Sequence, residues 1–513
     1  MLVTEPESAV LAEKQQQSGL GQKLLAGTSA LGAATLIERG MSFLASLMAA
    51  RLGGASVFGA YSLALTTANN IAAYTGSGIG NTATRFAGAH DQHSPEYGPI
   101  ARALLMVTGT SALLASLLML AASGPLAKYV LHNPGVQSLL ACSALSAAAV
   151  ISLECARGFL LGQRKHTALL LLSVLAGAGL LAVLPAASFW GAQPMVLGHG
   201  IVVIGAVLIC VLLAGPLGLK PTSAVDPKQA FAPVVRQVWG FGMVQLGSLL
   251  SMNIAGWWMT SLIARADTSM AQIGFFAVSH QIRNMVALAP SMLTQSSYAL
   301  MVDGAHSHRD TGRVVTLCTA TANFIALLMA GSGIVVLPWA LLIVYGKAYL
   351  PAVLPTALAL ATAVAHMGAA PVLARLTVLD VRRAGVVNVL WAALVALAAT
   401  KFISGGGAIE GAAIYLGAHL VSGWLAVFAL RPGHIPSGVI PIIAVSQVSA
   451  CALVALAFAR AAEPNQQVLL TGGMAGVLAL SVGLFAMFAR HYRWLPQEFS
   501  LNALLSMIRG IRR

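Results

Sequence analysis

Bilayer-length apolar segments run through this chain from one end to the other, and the second half repeats the first about 216 residues later. A membrane's hydrocarbon core needs about 20 apolar residues per crossing helix. Backbone groups inside lipid must be satisfied within the protein, so such a chain has a bundle of helices open to it and little else. Charged residues make up 9% of the 513 positions and hydrophobic ones 58%, where a soluble domain carries charges at about a quarter of positions. The chain therefore reads as an all-α, polytopic membrane protein with about 14 transmembrane helices.

Marking the apolar stretches predicts the organisation of the chain. Residues 1–23 read as a cytoplasmic tail. Spans at 27–50, 58–83, 101–123, 136–161, 167–190 and 194–215 form an N-lobe, residues 24–215, followed by a hydrophilic linker at 216–236. Spans at 237–264, 272–301, 314–345, 354–379, 384–402 and 408–430 form a C-lobe, residues 237–431. Two more, at 436–459 and 467–489, lie in residues 432–489, and 490–513 is a basic cytoplasmic tail.

The repeat can be checked residue by residue. Ala50-Arg51 and Phe58-Gly59-Ala60-Tyr61 match Ala264-Arg265 and Ile273-Gly274-Phe275-Phe276, and Gly88-Ala89-His90 matches Gly304-Ala305-His306. Arg157 with Arg164-Lys165 matches Arg375 with Arg382-Arg383, and Tyr129 matches Tyr345. Six helices per repeat is an even number, so both lobes share one orientation, and a pseudo-twofold axis along the membrane normal is expected, with a cavity between lobes as the transport path.

Orientation follows from the Lys/Arg excess of short cytoplasmic loops. With the N-terminus inside, 21 of the 29 basic residues fall inside and six outside, while Arg39 and Arg283 fall within spans. Both termini are then cytoplasmic, and the net charge of +14 is mostly topology. Basic residues scattered over many short loops do not make a nucleic-acid site. Arg509, Arg512 and Arg513 suit a topology anchor or contact with anionic lipid headgroups. Residues 1–22 lack the basic and apolar regions of a cleavable signal peptide, so the first apolar helix is expected to direct insertion.

Several chemistries find no support. The five cysteines lie within spans without metal-like spacing or an evident disulfide pair. No phosphate-binding glycine loop, HExxH or nucleophile elbow occurs. No hydrophilic stretch is long enough for a nucleotide-binding domain, which excludes an ABC-type pump in one chain. No metal or cofactor is expected, and the reading is of a transporter rather than an enzyme.

The junction of the first two helices carries a more specific signal. Glu38-Arg39-Gly40-Met41-Ser42-Phe43, Ala50-Arg51-Leu52-Gly53 and Phe58-Gly59-Ala60-Tyr61-Ser62-Leu63-Ala64 resemble the opening of the Wzx-type polysaccharide-biosynthesis flippases, within the multidrug/oligosaccharidyl-lipid/polysaccharide exporter superfamily. Tyr345-Gly346-Lys347-Ala348-Tyr349-Leu350-Pro351-Ala352 is similar to that family's segment before helix ten, and Ala408-Ile409-Glu410-Gly411-Ala412-Ala413 to its start of helix twelve. The resemblance implies transfer of an undecaprenyl-diphosphate-linked oligosaccharide across the bacterial plasma (inner) membrane, for exopolysaccharide, capsule or O-antigen, beside membrane lipids and a polymerase and export machinery. Such a headgroup cannot cross hydrocarbon unaided, because its polar groups would lose their hydrogen bonds to water.

Intramembrane charge points to cavity residues. Arg39 beside Glu38 in the first helix, and Arg283 with His280 and Asn284 in the eighth, either line a cavity or neutralise partners on neighbouring helices. A cavity-facing Arg offers a forked donor to a diphosphate. The resemblance gives weight to helices one, two, seven and eight, and so to Asn69, Asn70 and Asn253. Glu154 lies three positions before Arg157 on one helical face; it reads as a local ion pair or as a proton-coupling group. Asn81, Gln245, Asn323, His199, His366 and His419 read as interhelical hydrogen-bonding groups. Gly76, Gly78 and Gly80 suggest a bendable segment, and Pro290 a bend in the eighth helix. Alternatives to the flippase reading are a cation-coupled multidrug exporter, a lipid II flippase, and a non-transport scaffold of polysaccharide assembly.

Overall fold

In the computed structural model the described residues are 7–76, 78–89, 97–213, 250–306, 311–403, 407–431, 434–436 and 438–491. The linker at 216–236, His90 and the tail residues Arg509, Arg512 and Arg513 lie outside them. Among the described residues every regular element is helical and no strand occurs. The helices are α1 (Glu7–Gly76), α2 (Ile79–Ala89), α3 (Tyr97–Pro125), α4 (Gln137–Cys142), α5 (Ala144–Gly162), α6 (His166–Ser188) and α7 (Ala192–Leu213). There follow α8 (residues 250–266), α9 (Ala271–His306), α10 (Gly312–Val344), α11 (Val353–Leu379), α12 (Val381–Phe402), α13 (Ala408–Ala429), α14 (Val439–Ala462) and α15 (Gln467–His491).

Among the described residues eleven stretches are long and apolar enough to cross a bilayer, and the remaining expected crossings have physical explanations. The first stretch, Ala34–Gly76, holds two helices, because Gly54 (φ 78, ψ 172) breaks the helical backbone inside α1. Helix α9 is long enough, but His280, Gln281, Arg283 and Asn284 lower its mean hydropathy. The seventh expected span begins in residues outside the described ones. Helix α1 also starts at Glu7, inside the expected tail, because all of residues 9–17 except Val10 are Ala, Leu, Glu, Lys or Gln, which are strong helix formers. A second break falls between Gly76 and Ile79, where Gly78 has φ +85. The expected fourth span is interrupted at Ser143, between α4 and α5. Helix α9 runs unbroken through Pro290.

Contacts divide the chain into two units: residues 1–53, 64–129 and 133–246, and residues 54–63, 130–132 and 247–513. In the first unit α5 packs against α2, α3 and α7, and α6 pairs with α7. In the second, α11 is the axis, packed against α9, α10, α13 and α14. Its Ala- and Thr-rich sequence leaves 72% of the span enclosed, against 17% for α15, because small residues let helices approach closely. Asn323 of α10 donates to Thr319 O (2.7 Å) and Gly368 O (3.3 Å) and accepts from Ser446, tying α10, α11 and α14 together.

The repeat shows itself at one crossing inside the second unit. A side chain at Gly59 would strike the carbonyl of Met270, and one at Gly274 the carbonyl of Ala55. Gly59 and Gly274 are repeat equivalents, and so by the same offset are Ala55 and Met270, so the contact is reciprocal, as an isologous pairing requires.

Between α8 and α9, Asp267 accepts hydrogen bonds from Ser269 N (2.9 Å), Ser269 Oγ (2.6 Å) and Gln272 N (2.8 Å). Partial burial raises its pKa, but these donors outweigh that and hold it below the usual carboxylate value. A depressed folded-state pKa stabilises above the unfolded value and loses that stabilisation as pH falls. Asp267→Ala should therefore destabilise by about 1 kcal/mol at pH 7, with the difference from wild type shrinking as pH falls below the ordinary Asp value of about 3.9, as read by thermal melting across that range.

Candidate functional site

Two polar clusters stand out, one in each unit. In the first unit a cavity of about 250 Å³ is lined by Glu38 and Arg39 of α1, Asn81 and Thr84 of α2, Glu154 and Arg157 of α5, and Ser173 of α6. Helical spacing makes the convergence: Glu154, Arg157, Gly158 and Leu161 fall on one face of α5. Arg157 pairs with Glu38 across helices and with Glu154 (3.1 Å) along its own. Ser173 Oγ donates to Glu38 Oε2 at 3.3 Å. Glu38 thus ties α1 to α5 and α6. Arg39, next in sequence, is exposed toward the cavity.

In the second unit the centre is Arg283. Helix α9 carries His280, Arg283 and Asn284 at i, i+3 and i+4, on one face. Asn284 Oδ1 accepts from Arg283 Nη2 (3.1 Å) and Nε (3.4 Å). The guanidinium lies 5.7 Å from the ring centre of Tyr415 on α13, within cation–π range. His280 lies 4.8 Å from Tyr415 and 4.3 Å from Phe276. Beyond Tyr415, Trp391 of α12 lies at 5.4 Å, and His419 stacks on His366 of α11 at 4.7 Å. Nη1 of Arg283 is buried without a hydrogen-bond partner, and among the described residues no carboxylate pairs with this side chain. A half-buried guanidinium with an unused donor, rings and an amide around it has the forked donor geometry that an anion would use.

The expected residues are therefore distributed unevenly. Glu38, Arg39 and Glu154 share the first cavity; His280, Arg283 and Asn284 share the second cluster. Asn70 donates to Thr66 O (2.9 Å) and accepts from Tyr74 (3.4 Å) within its own helix. Asn69 and Asn253 are exposed and line neither cluster. Sequence reasoning missed the interhelical role of Arg157 and the participation of Tyr415 and Trp391. The i, i+4 spacing of Tyr415 and His419 was the available signal. His366 and His419, expected as hydrogen-bonding groups, stack on each other.

A family model described as polysaccharide biosynthesis protein matches residues 24–301, more than half of the chain. The chain belongs to the polysaccharide biosynthesis protein family. Solved structures agree on the fold. The lipid II flippase MurJ in an inward closed conformation is 10% identical at a TM-score of 0.63, covering 90% of this chain and 98% of that one. An inward-facing multidrug resistance MATE transporter of the MOP superfamily is 13% identical at 0.59, covering 83% and 98%. A MOP superfamily transporter from Pyrococcus furiosus, described as having a binding pocket of reverse polarity, is 14% identical at 0.53, covering 84% and 96%. No curated protein matches by sequence. This member of the polysaccharide biosynthesis family is a multi-pass membrane protein with a transporter fold, as its apolar helices require.

Proposed function

We propose that this protein translocates undecaprenyl-diphosphate-linked oligosaccharide repeat units from the cytoplasmic to the outer leaflet of the bacterial inner membrane, by alternating access of its two helical units, with both termini cytoplasmic. The observation that carries this reading is Arg283: a half-buried guanidinium with an unsatisfied donor and no carboxylate partner among the described residues. A headgroup bearing a diphosphate would supply the missing acceptors, and the neighbouring Tyr415 and His280 rings suit sugar faces. The sign of the charge argues against a cation exporter, which needs an acid where this cluster has an arginine. Membership in a polysaccharide biosynthesis family supports a glycan-linked cargo. In the first unit, Arg39 is a separate candidate anion-binding group in its own cavity, and Glu154 is the candidate for proton coupling.

Deleting the gene and assaying surface polysaccharide together with the sidedness of the lipid-linked repeat unit in spheroplasts tests the proposal. Loss of polymer with the repeat unit trapped on the cytoplasmic leaflet is expected. Normal polymer and sidedness with altered sensitivity to cationic drugs would overturn it in favour of the exporter, and loss of polymer without trapped repeat unit would favour a scaffold.

A further inference from the structure

Three histidines share the Arg283 cluster: His280 on α9, His366 on α11 and His419 on α13. The rings of His366 and His419 are stacked, 4.7 Å apart at 23°. His419 also lies 5.2 Å from Trp391 and 6.1 Å from Tyr415, and Tyr415 is the ring beside the Arg283 guanidinium. One aromatic ring therefore links a fixed positive charge to a pair of titratable groups, and Arg283 acts electrostatically on both imidazoles. Histidine is the side chain whose ordinary titration falls between about pH 5 and 8.

A cavity of about 40 Å³ adjoins the pair, and His366, His419, Trp391, Asn388 and Ser422 supply its polar lining. A water needs about 10–15 Å³ of such space, so about two or three fit. Trp391 is 4% exposed, and its Nε1–H, which can only donate, is buried without a hydrogen-bond partner. Water in the cavity would accept from that group and give a proton on the pair a hydrated neighbour, while the Trp391 ring lies within the range at which an aromatic face attracts a cation, about 6 Å. His280 is less suited to hold a proton: one turn from Arg283 on the same face, it would set a second positive charge directly beside the guanidinium.

Few ionisable groups face the pair. Helix α9 brings Arg283 and His280, and α13 brings Tyr415. Trp391 and Asn388 of α12 and Met252 of α8 do not titrate. Of the other helices packed on α11, α10 holds Cys318 against Ser297, and α14 holds Arg460 on the carbonyls of Ile334 and Val335; Arg313 stands at the start of α10, and Cys451 is exposed. A diphosphate bonded to lipid on one side and sugar on the other carries two negative charges, and Arg283 supplies one positive charge. The second negative charge is costly within the membrane unless another cation meets it.

We propose that binding of the diphosphate headgroup at Arg283 is linked to uptake of one proton by the stacked His366 and His419 pair, which makes the loaded site electrically neutral. The inference rests on the reading of Arg283 as the group that takes the diphosphate. The proton passes from solution onto an imidazole nitrogen, and no bond of the cargo changes. Arg283 opposes a second positive charge while the site is empty, and the headgroup favours it once bound, so affinity for the cargo rises as pH falls.

The test is calorimetric binding of undecaprenyl diphosphoglucose to the full chain in phosphatidylcholine nanodiscs, in buffers of different ionisation enthalpy, which counts the protons exchanged. Each phosphate of this diester has a single strongly acidic proton, so the ligand's own charge stays constant over the range tested. Wild type should take up close to one proton per headgroup and bind about tenfold tighter at about pH 5.5 than at about pH 8. His366→Gln combined with His419→Gln should abolish the uptake and flatten the pH dependence, whereas His280→Gln should retain the uptake whatever it does to affinity. Wild type that binds without proton uptake overturns the linkage and leaves the flippase reading standing, whether or not the double variant folds. Uptake that survives in the double variant overturns the pair as the proton's site, and its loss in His280→Gln or Glu154→Gln then shows which group holds the proton instead. Wild type that fails to bind the diester at either pH overturns the flippase reading itself.

Discussion

Replacing Arg283 with alanine should reduce delivery of the lipid-linked repeat unit to the outer leaflet by about a hundredfold, while the protein still folds. The magnitude comes from losing two charge-assisted hydrogen bonds to a diphosphate, each worth about 1.5–3 kcal/mol, discounted for partial replacement by water, at tenfold per 1.4 kcal/mol. Stability should change little, because Arg283 has an amide and a ring beside it and, among the described residues, no carboxylate that its removal would strand. Arg283→Lys should fall between: it keeps the charge but loses the planar fork. Sidedness of the repeat unit in spheroplasts and a melting curve of each purified variant separate the two effects. Wild-type sidedness in Arg283→Ala would remove this residue from the cargo site.

The second large effect is on folding. Gly274→Val places branched carbon atoms into the backbone carbonyl of Ala55, and Gly59→Val does the same at Met270. The obstacle is backbone, which cannot rotate away as a side chain could, so overpacking should destabilise by about 1–3 kcal/mol or more and lower both folded yield and melting temperature. Because the contacts are reciprocal, the two variants should lose stability by similar amounts. Gly40→Ala is the control: a methyl group there meets nothing within 4 Å, and its melting curve should match wild type or rise slightly through better helix propensity. Equal melting of Gly274→Val and wild type would show that the crossing opens freely.

Much of the fold was legible because lipid imposes a simple rule. A run of apolar residues must become a helix, and its length sets the span, so α6, α7, α10 and α12 to α15 fall close to their predicted positions. Departures occur where a single backbone geometry or a polar insert overrides composition. Gly54 breaks the helical backbone between two expected helices that otherwise run on as one stretch, and Ser143 divides another. Helix α9 is less apolar than its neighbours because it carries His280, Gln281, Arg283 and Asn284. The site was legible only in part. Arg283, His280 and Asn284 share a face by local periodicity, and Glu154 and Arg157 do too, so spacing along one helix exposed them. The partners they meet sit far away in sequence: Glu38 is 119 positions from Arg157, and Tyr415 belongs to the fourth helix after that of Arg283.

By itself the sequence determined the helical, membrane-spanning class, the internal repeat and the rare polar positions within apolar runs, since each depends on composition or on short-range periodicity. Tertiary structure alone decided which of those polar groups are neutralised and which remain available. Glu38 is tied to Arg157 and Ser173, whereas Arg283 keeps an unused donor. Whether a buried charge is structural or functional depends on the groups within a few ångströms of it, and that distance is set by how helices pack rather than by where residues fall along the chain.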